Sequence, residues 1–477
     1  MSSLLKKAYD PEQFRKQAHT LVDTLANYLD ESIYQKKERV FRQFEPDELF
    51  KNWQNRLGDP KQNDFSTWSK RVVDDSIHLH NPGYMGHQVS PVLPQAALAD
   101  LMSALLNNGM GVYEMGSPAV AMERVVIKHL AERIGFDDKA EGVLTSGGTL
   151  GNLTALLTAR QLKVGGDVWN EGTGGQQLGI MVSEEAHYSI SRAVKILGWG
   201  EEGIIKVPVD EHFRLDPSKL EETFQKASKN GIEIIGAVGS SCSTATGSFD
   251  PLPELADFCE NHKLWFHVDA AHGGAALYSK KHRTLLQGID RADSVIVDFH
   301  KMLMCPALVT GLVFKEGDHS YQTFAQKAEY LWKQEGEEWF NLGKRTFECT
   351  KDMMSLKVYS LLHIYGTKLF KENVEQLFEM GKAFGNMVSD HPRFELLIKP
   401  QSNIVCFRYV SGDIEDLNMH NERLKRQLIK EGKYFIVQTN VRGELYLRTA
   451  IMNPFTTCTH LKGLLDRLED ISQNTLV

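Results

Sequence analysis

The chain has 477 residues, 42% hydrophobic, 24% charged and 9% aromatic, which excludes disordered, collagen-like and disulfide-scaffold classes. With 54 Lys and Arg against 62 Asp and Glu the net charge is -8, so no global basic field exists to draw nucleic acid or an acidic membrane. Small molecules and copies of the chain itself are the expected partners.

Cys242, Cys259, Cys305, Cys349, Cys406 and Cys458 stand singly, without CxxC or metal-finger spacing, as free thiols of a reducing compartment do. Neither a disulfide framework nor a metal site is expected. The opening MSSLLKKAYDPEQFRKQ is broken by charge every few residues. It lacks an apolar h-region, and no later stretch approaches the roughly 18 apolar residues of a membrane span. The expectation is a cytoplasmic protein without a membrane partner.

In chain order, Phe14, Leu21, Leu25 and Leu29 recur at helical spacing, which predicts an N-terminal helical arm over residues 1–75, too short to build its own core. From about residue 90 to 315, the apolar runs GVLTS, LGIMVS, IIGAVGSS, LWFHVD and SVIVDF alternate with amphipathic stretches, the first predicted helix starting at Asn152 and others lying near Ser189 and Leu252. Continuous apolar strands alternating with helices predict an α/β large domain, residues 76–365, with a mainly parallel sheet covered on both faces. Within it, Lys315–Lys351 is rich in Glu, Gln, Lys and aromatics and reads in part as an exposed loop. Beyond Gly366, a helix around Glu372–Ser389 precedes FELLIK, NIVCFRY, a charged helix near Glu422–Lys430, YFIVQTN and ELYLRTAI, a small α+β domain at residues 366–477.

Four features in the large domain carry chemistry. After GVLTS, the small residues Ser146-Gly147-Gly148-Thr149 lead into a helix, where free N–H groups and the helix dipole favour an anion such as phosphate. The segment is neither a P-loop nor a GxGxxG fingerprint, and a plain strand-to-helix turn is the alternative. Asp269 ends the strand LWFHVD, where parallel sheets present ligands; a helix cap is the other reading. Lys301 follows SVIVDFH and precedes MLMCPALV, an apolar setting that disfavours ammonium and readies an amine for a Schiff base, unless the side chain only snorkels. His187 in SEEAHYSI could stack on a planar ligand or serve as a hydrogen-bonded core histidine. A phosphate turn, an acid, a lysine and a flat ring on separate strand ends match the needs of pyridoxal 5'-phosphate.

The segments HNPGYMGHQ (80–88), YEMGSP (113–118), TSGGTLGN (145–152), SEEAHYSI (183–190), TGSFDPL (246–252), HVDAA (267–271), DFHK (298–301) and LRTAIMNP (447–454) together make the chain similar to the group II pyridoxal-phosphate-dependent amino-acid decarboxylases. That family includes glutamate, cysteine-sulfinate, diaminobutyrate and aromatic amino-acid decarboxylases. The resemblance, over about residues 76–460, implies a fold type I, aspartate aminotransferase-like architecture and a homodimer with shared active sites.

It also implies roles. Lys301 would carry the cofactor Schiff base, Asp269 would pair with the pyridine nitrogen, and His187 and Ala271 would sandwich the ring. Gly147, Gly148, Thr149 and His300 would hold the phosphate. Thr244 would join them, although GSSCSTA stands where the family has Gly-Thr-Thr. Tyr330 of AEYLW matches the tyrosine that protonates the substrate carbon, and Gln88 and Arg448 match residues that hold substrate carboxylates in glutamate decarboxylase. Met302 replaces the tryptophan of the aromatic amino-acid enzymes, and Asp298-Phe299 replaces Asn-Pro or Asn-Ala. The implied activity is α-decarboxylation of an L-amino acid to amine and CO2. An acidic substrate (glutamate, aspartate or cysteine sulfinate) is favoured over a diamino or aromatic one. An aminotransferase and an inactive pyridoxal-phosphate-binding scaffold are the rival readings.

Overall fold

The computed structural model describes residues 2–36, 39–57, 64–324, 339–411 and 414–475. The chain forms two compact units.

The first, Gln88–Lys382 with Ile398–Val405, is built on a seven-stranded sheet of order β1-β7-β6-β5-β4-β2-β3. Its strands are β1 Glu141–Thr145, β2 Gln177–Ser183, β3 Ile204–Val207, β4 Ile232–Ser240, β5 Trp265–Asp269, β6 Ser294–Asp298 and β7 Thr310–Phe314. The pairs from β3 through β2, β4 and β5 to β6 are parallel, while β7 runs antiparallel to both β6 and β1. Six strands therefore point the same way, and β1, β2, β4, β5 and β6 deliver their C-terminal ends to one edge. β3 and β7 have no counterpart in the sequence expectation: β3 has only four residues, too few to set a pattern, and β7 is one of the short apolar runs whose state periodicity alone leaves undecided.

The fully buried β1, β5 and β6 explain the unbroken apolar runs, since helices cover both faces of a parallel sheet. Val143, Ile180, Val238, Trp265, Ile296 and Leu312 from the strands pack with Ala155, Leu156 and Ala159 of the helix Gly148–Lys163. That helix begins at Gly148, not at Asn152. Gly147 precedes it at φ +106°, a conformation that favours glycine. A Cβ on Gly151 would lie 3.0 Å from Ile296, so this glycine lets the first helical turn settle close to β6.

A buried ion pair ties two segments of this unit together. Glu123, on the helix Tyr113–Ile134, accepts from the Leu144 N–H at 2.9 Å and from Lys351, whose ammonium also donates to the Leu144 carbonyl at 2.7 Å. The side chains are 1% and 2% exposed. Lys351→Met is expected to cost about 3–5 kcal/mol, because it strands a buried carboxylate. Urea denaturation at neutral pH checks this, and a loss below about 1 kcal/mol, the range of a surface pair, contradicts it.

The second unit comprises Met1–His87, Ala383–Leu397 and Cys406–Val477. Its N-terminal helices are Pro11–Ile33, Pro46–Leu57 and Phe65–Asp75. A four-stranded sheet, ordered β10-β11-β9-β8, contains β8 Phe394–Leu396, β9 Ile404–Tyr409, β10 Val437–Val441 and β11 Glu444–Ala450, accompanied by helices Leu417–Glu431 and Cys458–Thr475. The Asn421 side chain bonds both the N–H and the carbonyl of Tyr409, anchoring the helix to β9. The helix expected at Glu372–Ser389 is longer, Ser355–Asp390, with Gly366 at φ +63° interrupting it. Among the described residues no helix is long and apolar enough to cross a membrane.

Candidate active site

At the C-terminal edge of the large sheet lies a cavity of about 520 Å³. Five of the six strands that end at this edge contribute to its wall. The turn after β1 supplies Ser146, Gly147, Gly148 and Thr149; His187 follows β2; Cys242 and Thr244 follow β4; Asp269 and Ala271 end β5; Asp298, His300 and Lys301 end β6. Gln88 also lines it. The residues expected from sequence to hold a cofactor thus share one cavity.

Asp269 is 8% exposed. Its Oδ1 accepts from the Ala271 N–H at 3.1 Å and its Oδ2 from the Asn152 amide at 2.9 Å. Both donors fix the orientation of the carboxylate. His187 caps the helix Tyr188–Ile196, with its Nδ1 2.8 Å from the Ser189 hydroxyl. Burial pushes its pKa below the ordinary imidazole value; the Asp269 charge opposes this and the Lys301 ammonium reinforces it.

The lysine departs from expectation. Its setting is not purely apolar: Lys301 Nζ lies 3.0 Å from Asp298 Oδ2, and His300 Nε2 lies 3.6 Å from the same oxygen. Asp298 is 3% exposed and also accepts from the Thr310 hydroxyl on β7. Burial alone would raise its pKa, but Lys301, His300 and Thr310 outweigh it and hold the carboxyl below its usual value. The substitution of Asp298 for asparagine thus places a buried negative charge against the amine. Met302 is fully buried, its carbonyl accepting from Asn373 at 2.8 Å.

Arg448, on β11, is 5% exposed in the second unit, and with burial it helps lower the pKa of His87. Tyr330 lies outside the described residues. Sequence reasoning missed Asp298 as a partner of Lys301. It also missed Asn152 and His267, whose side chains meet at 2.9 Å behind Asp269. Asn152 carries the one available signal, a polar side chain within the first turns of a helix that is otherwise buried against the sheet.

The donor set fits pyridoxal 5'-phosphate. The helix Gly148–Lys163 has no side-chain hydrogen bond at its N-cap, so its leading N–H groups, which have no intrahelical acceptor, remain for a phosphate. The Lys301 amine and the buried Asp269 carboxylate lie on the neighbouring ends of β6 and β5.

The comparisons agree with this geometry. The model of the pyridoxal-dependent decarboxylase conserved domain matches residues 70–410. The chain is 30% identical to aspartate 1-decarboxylase of Aliivibrio fischeri, over 85% of this chain and 82% of that protein. It is 27% identical to aromatic-L-amino-acid decarboxylase of Bacillus atrophaeus, over 86% and 85%. The crystal structure of mouse CSAD in apo form superposes with a TM-score of 0.89 at 26% identity, covering 97% of this chain and 99% of that one. Matched over most of its length, with the donor set for the cofactor gathered at one sheet edge, the chain belongs to the pyridoxal-dependent decarboxylase family and is a pyridoxal-phosphate-dependent carboxy-lyase.

Proposed function

We propose that this decarboxylase acts on an acidic L-amino acid (glutamate, aspartate or cysteine sulfinate), releasing CO2 and the corresponding amine. The observation that carries the site assignment is the convergence of Lys301, Asp269, His187 and the Gly148 helix start on one strand-end cavity. When bound, pyridoxal phosphate supplies an electron sink for the bond between Cα and the carboxylate.

The chain's own residues do the rest. Lys301 would hold the cofactor through its ε-nitrogen. Asp269 would pair with the ring nitrogen, a carboxylate within hydrogen-bond reach favouring the charged ring. Gly147, Gly148 and Thr149 at the helix start, with Thr244 and His300, would hold the phosphate. His187 and Ala271 would sandwich the ring. Tyr330 delivers a proton to Cα, which directs the product toward amine and away from transamination. Tyr330→Phe is expected to divert product from amine to aldehyde or ketone; unchanged amine yield removes the role.

The acidic substrate is supported by the aspartate 1-decarboxylase relative and by the guanidinium of Arg448, whose fork suits a carboxylate. Gln88 is the second carboxylate-binding residue. The Bacillus atrophaeus relative, named for aromatic substrates, keeps aromatic decarboxylation as the second reading. Screening the pyridoxal-loaded protein for amine products across acidic, sulfur-containing, diamino and aromatic L-amino acids decides between them. The highest kcat/KM on an acidic substrate is expected, and preference for an aromatic or diamino one overturns the proposal. CO2 release excludes an aminotransferase, and turnover on any substrate excludes a silent scaffold. The working form proposed is a cytoplasmic homodimer, tested by light scattering.

A further inference from the structure

Behind the cavity wall lies a connected run of hydrogen bonds whose proton directions at Asn152, Ser189 and His187 follow from the Asp269 carboxylate. At one end, the indole Nε1 of Trp265, a donor only, meets the Ser294 hydroxyl at 3.0 Å. That hydroxyl is 2.8 Å from His267 Nδ1, and His267 Nε2 is 2.9 Å from the Asn152 amide oxygen. The Asn152 amide nitrogen lies 2.9 Å from Asp269 Oδ2 and 2.9 Å from the Ser189 hydroxyl. The hydroxyl of Ser189 lies 2.8 Å from His187 Nδ1.

The donor and acceptor inventory settles the direction at Asn152. Turning the Asn152 amide over would set two oxygens against each other at Asp269, so its nitrogen donates both protons, one to Asp269 and one to Ser189. Its oxygen must then accept from His267 Nε2. His267 is fully buried, and burial pushes its pKa down to about 4 against the opposing Asp269 charge. It is therefore neutral at physiological pH, with Nδ1 2.8 Å from the Ser294 hydroxyl and 3.2 Å from the Ser294 carbonyl oxygen. The Ser189 backbone N–H donates to His187 Nδ1 at 3.3 Å, which makes that nitrogen an acceptor, so the Ser189 hydroxyl, accepting from Asn152, gives its own proton to His187 Nδ1.

We propose that Asn152 is a positioning residue: one amide orients the Asp269 carboxylate and, through the Ser189 hydroxyl, fixes His187 as the tautomer with its proton on Nε2. His187 then turns a donor, not a lone pair, away from Ser189 on the cavity side of the network. Ring-nitrogen partner and stacking histidine are set by one side chain. The proposal deepens the site reading above and rests on it for its catalytic consequence, though not for the tautomer itself.

The test uses the full-length chain with isotope-labelled histidine imidazoles, followed by nitrogen–proton NMR without cofactor and with pyridoxal phosphate bound. The His187 signal is identified by its loss in His187→Gln. The wild type is expected to carry the proton on Nε2 in both forms. Ser189→Ala, a small change should Asn152→Ala fail to fold, is expected to relax His187 to a tautomer mixture, while Ser189→Thr keeps the wild-type pattern. In the same series kcat falls roughly ten- to a hundredfold for Ser189→Ala, the loss of one hydrogen bond near a charged group, and is largely restored by threonine. A wild-type proton on Nδ1, or a Ser189→Ala spectrum identical to wild type, overturns the proposal. If the tautomer pattern holds while reductive trapping with pyridoxal phosphate labels a residue other than Lys301, the site reading fails and the tautomer assignment stands.

Discussion

Lys301→Ala is expected to lower decarboxylase turnover by on the order of 10⁴-fold or more, the scale seen when the residue that forms the covalent link is removed. Borohydride reduction followed by peptide mass spectrometry should lose the labelled peptide that the wild type gives. The substitution has a second consequence through Asp298, which is 3% exposed and 3.0 Å from the ammonium that disappears. In the wild type Asp298 is held below its usual carboxylate pKa, burial opposing and Lys301, His300 and Thr310 prevailing. Its folded pKa thus lies below the unfolded value of about 3.9, and its contribution is fully present above that pH and lost as pH falls through the folded pKa.

Without Lys301 the balance tips toward burial and the folded pKa rises. The folded variant then holds a proton that the unfolded chain has released, so its stability deficit relative to wild type shrinks as pH falls from neutrality toward about 4. Urea denaturation at several pH values reads this directly. A deficit independent of pH would mean that Asp298 does not sense Lys301, and turnover within about tenfold of wild type would remove the lysine from the chemistry.

Asp269→Ala is expected to cost on the order of 10²–10³-fold in kcat, the range for removing one preorganised electrostatic partner of the reacting system. Cofactor affinity should fall much less, because the phosphate cup and the lysine remain. The variant also deprives the Asn152 amide and the Ala271 N–H of their acceptor, bonds of 2.9 and 3.1 Å. A modest stability loss of about 1–3 kcal/mol accompanies the kinetic effect. Equilibrium titration with pyridoxal phosphate separates binding from turnover, and a variant with near-normal kcat would take Asp269 out of the mechanism.

The strands that carry the site are legible because burial on both faces leaves an unbroken apolar run. LGIMVS and SVIVDF end where the polar residues begin, so His187, Asp269 and Lys301 announce themselves as strand-end groups. β7 was not legible: nothing in Thr310–Phe314 says that this strand inserts antiparallel between β1 and β6, which is a matter of long-range pairing. That insertion sets Thr310 opposite Asp298 in register and so decides which hydroxyl tethers the carboxylate. The early start of the helix at Gly148 was likewise hidden, since glycine is a poor helix former and only the close approach to Ile296 explains it.

Sequence by itself determined the α/β architecture of the large unit, the candidate cofactor chemistry and the residues on which to look for it, because periodicity and strand ends are local properties of the chain. What tertiary structure alone decided is the setting of those residues: the carboxylate facing Lys301, the amide gripping Asp269, the hydroxyl held between that amide and His187. The grip of the amide joins side chains more than 100 positions apart, Asn152 with His267 and Asp269, and Asp298, though only three positions from Lys301, takes its tether from Thr310 on β7. No local pattern encodes such an approach; it exists only once helix and sheet are packed, when every buried donor has to find its acceptor.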